Sequence, residues 1–105
     1  MAVLISTDAD FSSQISANSK VIVKYYADWC GNCKLISPKY RRLSEDQRFN
    51  DIVFLDVNAE ENEAARKIAN VDNLPFFAVF QNGQFVTGKA ASKEEAIVNL
   101  LEGLK

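Results

Sequence analysis

Apolar positions along the chain follow two rhythms, and the alternation between them predicts the fold. Short dense runs mark strands: Val3-Leu4-Ile5, then the almost continuously apolar Val21 to Tyr26, then Ile52 to Val57, then Phe76 to Phe80. The Val21–Tyr26 run suits a central strand covered on both faces. Spaced positions mark helices. Phe11 and Ile15 lie one turn apart, behind the N-cap candidates Thr7 and Asp8. From Cys33 to about Asp46, Ile36, Tyr40 and Leu43 recur at helical spacing, with charged residues on the opposite face. Glu60 to Ala69 carries Ala64, Ala65 and Ile68 on one side. Ala96, Ile97, Leu100, Leu101 and Leu104 give a last helix its apolar face, and Ser92 with Glu95 forms a capping box in front of it. Asn82-Gly83 is a two-residue hairpin signal, with Phe85 and Val86 in the returning strand. The order is β-α-β-α-β-α-β-β-α. It predicts an α/β fold with a parallel sheet, crossover helices and an antiparallel hairpin at one edge.

Length and composition narrow the functions. With 105 residues, the chain is expected to be one domain spanning 1–105. A net charge of −2 favours neither nucleic acid nor an anionic membrane surface as partner. No run approaches the roughly 18 apolar residues of a spanning helix. The N-terminus has no basic stretch ahead of its short apolar run, so it does not read as a secretory signal, and a cytoplasmic location is expected. Two cysteines are too few for a disulfide scaffold. The absence of histidine removes Cys/His zinc sites, imidazole bases and Ser-His-Asp triads together.

The two cysteines, Cys30 and Cys33, sit where the second strand ends and the second helix begins. The first turn of a helix offers free N–H groups and a positive dipole end, and both favour a thiolate. An exposed Cys30 at that end would be the attacking sulfur, and an inward-facing Cys33 the resolving one. The thiolate would attack a substrate disulfide, and the mixed disulfide would be released by the second thiol. The alternatives for such a pair are two core cysteines or half of a zinc site. Zinc would need two ligands from elsewhere, and the chain has no other Cys and no His.

With Ala27-Asp28-Trp29-Cys30-Gly31-Asn32-Cys33-Lys34 in view, the sequence resembles the thioredoxin family over nearly its whole length. Pro38 falls where the family has a helix-kinking proline. Asn73-Leu74-Pro75-Phe76 resembles the segment that carries its cis-proline, and Phe80-Gln81-Asn82-Gly83 resembles its hairpin. The resemblance implies a thioredoxin fold, a mixed sheet of about five strands flanked by about four helices. It implies Cys30 as nucleophile and Cys33 as resolving thiol. It also implies a cis Pro75 that sets the Leu74 backbone for pairing with an extended substrate segment. Trp29, Gly31 and Asn32 would complete the docking surface.

Three positions depart from the family pattern. Asn32 stands where proline is usual, restoring an N–H near the Cys30 sulfur and implying a more oxidising couple. Lys24 stands where the family usually has a buried Asp that assists proton transfer at the resolving cysteine. Asp56 stands where many members have its partner Lys. A lone charge in either strand would be costly, so the two are expected to form a charge-swapped buried pair below Cys33 and to relay its proton. The alternative is a Lys24 that snorkels to the surface and an exposed Asp56. In Thr87-Gly88-Lys89-Ala90-Ala91-Ser92, alanines replace the usual glycine of the substrate groove, and Gly88 reads as a turn residue.

The leading expectation is a protein-disulfide reductase acting on disulfide-containing proteins and recycled by a thioredoxin reductase. It would be monomeric, with no cofactor beyond the Cys30–Cys33 disulfide. An oxidase or isomerase, favoured by Asn32, is the alternative enzyme. A binding module with secondary redox activity is the alternative of another class.

Overall fold

The computed structural model describes residues 2–104. Four α-helices surround one five-stranded sheet: β1 (Val3–Ile5), α1 (Phe11–Ala17), β2 (Lys20–Tyr26), α2 (Gly31–Ser44), β3 (Val53–Asn58), α3 (Glu63–Ile68), β4 (Phe76–Gln81), β5 (Gln84–Ala90) and α4 (Glu94–Glu102). The strand order is β1-β3-β2-β4-β5, with β1, β3 and β2 parallel and β4 and β5 antiparallel. The expected mixed sheet with a hairpin edge is therefore present. Asn82 (φ +53°) and Gly83 (φ +82°) both lie in the left-handed region, as a two-residue hairpin turn requires.

Strand alternation divides the core in two. Val21, Val23 and Tyr25 of β2 pack with Phe11, Ile15 and Ala65 under α1 and α3. Ile22 faces the other way and packs with Ile36, Tyr40, Ile97 and Leu101 under α2 and α4. By the same parity Lys24 points to the α2 side, in register with Asp56 on β3.

Several local expectations are corrected. Neither Thr7 nor Asp8 caps α1; its N-cap is Asp10, and no side-chain bond closes that end. Asp8 reaches instead to α3, where its carboxylate accepts from Ala65 N (2.9 Å) and Ala64 N (3.2 Å), while Asn62 Oδ1 accepts from Asp8 N at 2.8 Å. Helix α3 starts at Glu63 rather than Glu60, because Asn58 Oδ1 turns the chain at Glu60 first. Its buried face is Ala65 with Ala69 beyond its end, whereas Ala64 and Ile68 are exposed. The Ser92–Glu95 capping box does not form: the N-cap of α4 is Lys93, with no side-chain bond. The sheet explains the delay, since Ala91 N still donates to Pro75 O (3.1 Å) and keeps the chain extended past Ala90. Gly88 is not a turn residue but the β5 partner of Ala78, flat against the Phe76 ring: a Cβ there would lie 2.5 Å from Phe76 Cε1.

Candidate active site

The cysteine pair occupies the junction between β2 and α2. Cys30 is the N-cap of α2, with extended backbone (φ −85°, ψ 105°), and its sulfur accepts a hydrogen bond from Cys33 N at 3.1 Å. The two sulfurs are joined in a disulfide. Cys30 was expected to be exposed; in this oxidised form it is only 5% exposed, against 2% for Cys33. The bonded sulfurs pack with Ala27 in a small cluster flanked by Tyr26 and Leu74, and that packing covers them. The N-cap position still sets the Cys30 sulfur at the positive end of a 14-residue helix, against an N–H that would favour its anion.

The other docking residues gather around this junction. The Leu74–Pro75 bond is cis, Pro75 is buried, and Leu74 packs on the sulfur cluster. Asn73 Oδ1 accepts from Leu74 N at 2.9 Å. Beside them runs a groove of about 180 Å³, with Asn32, Asn73 and Ser92 over Leu74, Pro75 and Ala90. Trp29 is 67% exposed and belongs to the surface rather than the core, its indole N–H donating to Glu60 Oε2 at 2.8 Å. Gly31 is exposed, with open space where a side chain would stand.

Lys24 does not snorkel to solvent. Its side chain is 3% exposed, and its Nζ lies 3.3 Å from Asp56 Oδ1, whose side chain is 23% exposed. The contact is an ion pair to a buried carboxylate oxygen. The hydrogen bond of the Lys24 ammonium goes to Ser37 Oγ (2.6 Å), which in turn bonds Cys33 O at 2.8 Å. Both charges and Cys33 line one cleft of about 260 Å³, together with Ser37 and Tyr26. Burial is the leading influence on each: it pushes Lys24 below its ordinary pKa and Asp56 above its own, against their mutual attraction.

Comparison with known proteins agrees with this geometry. A family model described as Thioredoxin matches residues 2–103. The chain belongs to the thioredoxin family. It is 33% identical over 102 residues to Thioredoxin 1 of Plasmodium falciparum, covering 97% of this chain and 96% of that one. A solved structure of Plasmodium falciparum thioredoxin superimposes with a TM-score of 0.86 at 33% identity, covering 95% of this chain and 96% of its own. A thioredoxin f2 solved in complex with ferredoxin:thioredoxin reductase gives a TM-score of 0.89 at 27% identity, over 97% and 94% of the two chains. Family membership and the disulfide-forming pair make this thioredoxin-family chain a thiol–disulfide oxidoreductase, an enzyme of the protein-disulfide reductase type.

Sequence reasoning missed Ser37, Glu60 and Asn73. Ser37 carried a usable signal, since it stands one helical turn after Cys33 and so on the same face of α2. Glu60 carried none, because its partner Trp29 comes from another loop, whereas Asn73 bonds the N–H of its own neighbour Leu74. Among the described residues no group of three or more Cys, Asp or Glu side chains is arranged to hold a metal ion.

Proposed function

We propose that this chain works in the reducing direction, with Cys30 as nucleophile and Cys33 as resolving thiol. The carrying observation is the Cys30 sulfur at the α2 N-cap, with the Cys33 N–H directed at it. The Cys30 thiolate attacks a substrate disulfide; one substrate sulfur leaves as thiolate and the other stays bonded to Cys30. Cys33 then gives up its proton and attacks Cys30. The Cys30–Cys33 disulfide forms and the second substrate thiolate departs, so the substrate gains the two electrons that the pair loses. Trp29, Gly31, Asn32, Leu74 and the cis Pro75 offer the docking surface for an extended substrate segment. Asp56, in the cleft below Cys33 beside the Lys24 ammonium, takes up the proton that Cys33 releases. Asp56→Asn should therefore alter the pH profile of disulfide exchange, and an unchanged profile refutes the relay.

The partners are disulfide-containing proteins and, to restore the dithiol, a thioredoxin reductase; the complex solved for a thioredoxin f2 supports the latter. Cytoplasmic work, where the thiol pool is reduced, fits a reducing couple. The testing experiment is the reduction potential of the Cys30–Cys33 couple, by equilibration against graded glutathione or dithiothreitol buffers. A value near about −270 mV supports reduction, and a value above roughly −200 mV overturns it in favour of an oxidase or isomerase. Asn32→Pro should make the couple more reducing, by removing one N–H from the first turn of α2. An unchanged or higher potential in that variant refutes the role given to Asn32.

A further inference from the structure

The Ser37 side chain on α2 touches both the buried cation and the resolving cysteine's own peptide. It stands four residues after Cys33, so its hydroxyl returns to the Cys33 carbonyl at 2.8 Å, one turn back. A hydroxyl has a single proton, and that bond uses it. The oxygen therefore faces Lys24 Nζ, 2.6 Å away, with lone pairs only, and can bind Lys24 only as a donor. Asp56 supplies an opposite charge from farther off, with Oδ1 at 3.3 Å. The rings of Tyr40 (5.3 Å) and Tyr26 (5.5 Å) attract the cation without directing it. Of these contacts the hydroxyl is the shortest.

We propose that Ser37 is a positioning residue, whose hydroxyl pins the Lys24 ammonium in the cleft it shares with Cys33 so that the cation favours the Cys33 thiolate. The proposal deepens the mechanism above and rests on Cys33 being the resolving thiol. Asp56 from β3, Arg41 and Lys34 from α2, Asp28 from the turn before α2, and the phenols of Tyr26 and Tyr40 are the other titratable groups around Lys24. Of these, Asp56 brings an oxygen to 3.3 Å from the ammonium, farther off than the hydroxyl at 2.6 Å. Burial pushes Lys24 toward the neutral amine, and Asp56 opposes that push.

The test titrates Cys33 directly. In full-length protein carrying Cys30→Ser, the Cys33 thiolate is followed by its ultraviolet absorbance and by its alkylation rate with iodoacetamide across pH. Loosening or neutralising the cation should raise the apparent Cys33 pKa by about half a pH unit in Ser37→Ala. Ser37→Thr, which keeps the hydroxyl, should stay with the parent. An unshifted Cys33 in the alanine variant, or a threonine variant that shifts like alanine, overturns the proposal. Alanine is the better helix former, so α2 should persist, which far-UV circular dichroism checks. Should the alanine variant not fold, the parent protein decides. The Lys24 ζ-nitrogen resonance must move as reduced Cys33 titrates, and a resonance blind to that titration overturns the proposal. Disulfide reduction by the unmodified chain is assayed alongside. Its absence would remove the proposed function, whereas activity with an unshifted Cys33 would remove only the role of Ser37.

Discussion

Replacing Asp56 by leucine alone should destabilise the oxidised protein far more than replacing Lys24 and Asp56 together. The single change leaves the Lys24 ammonium, 3% exposed, without its opposite charge. Only the Ser37 hydroxyl and two aromatic rings would remain to it. Breaking a buried pair in this way costs about 3–5 kcal/mol. The converse change, Lys24→Met, should cost less, because Asp56 is 23% exposed toward the cleft and can take up water or a proton. Both pKa shifts follow burial rather than attraction, so the pair as a whole does not offset its own desolvation. The double variant Lys24→Met/Asp56→Leu should therefore fall between neutral and about 4 kcal/mol more stable than the parent at neutral pH. The pH dependence has a definite sign. Lys24 in the fold loses its proton at a lower pH than in the unfolded chain, so the unfolded state binds more protons between those two points. Stability of Asp56→Leu should then rise with pH from neutral toward the ordinary lysine range, whereas the double variant should lack that rise. Urea melts followed by circular dichroism at pH 7 and 9.5 measure both effects. A single variant within about 1 kcal/mol of the parent, or a double variant whose loss is the sum of the two singles, refutes the reasoning.

Two further predictions concern packing and capping. Gly88→Ala puts a Cβ 2.5 Å from Phe76 Cε1, 2.8 Å from Cζ and 3.3 Å from Phe77 O. The ring must move although it is 6% exposed and set edge-on to Tyr25, which should cost about 1–3 kcal/mol and lower the melting temperature by several degrees. A melting temperature equal to the parent's would show that the ring yields freely. Asp8→Ala should cost about 0.5–2 kcal/mol by leaving two α3 N–H groups open. The loss should appear as faster hydrogen exchange at Ala64 and Ala65, and unchanged exchange there would refute the capping role.

What the sequence disclosed depended on how far each cause acts. Strands β2 and β4 were legible because a strand covered on both faces must be apolar throughout. The hairpin was legible because Asn82-Gly83 is a local device. The pairing of Lys24 with Asp56 followed from cost: a charge inside Val21–Tyr26 needs a partner, and the neighbouring parallel strand held one charge in reach. Alanines in α3 misled, since Ala64 and Ala65 look alike in sequence and only one is covered. Ser92 met every local requirement of an N-cap, yet the sheet held the chain extended for one residue more. The burial of Cys30 was invisible because it depends on Leu74, which arrives from another part of the chain.

The bond from Asp8 to α3 also bears on the order in which the chain can assemble. A helix of six residues is too short to stand alone in water, since nucleation costs more than so few turns return. Its opening N–H groups wait for a carboxylate 56 and 57 positions earlier, and that carboxylate follows β1, which pairs with β3. Helix α3 is thus expected to be a late arrival, made permanent only after β1 has docked on β3 and closed the far edge of the sheet. Loss of the Asp8 carboxylate alone would be felt first at α3, and the segment from Glu63 to Ile68 should be the earliest to open when the protein is stressed.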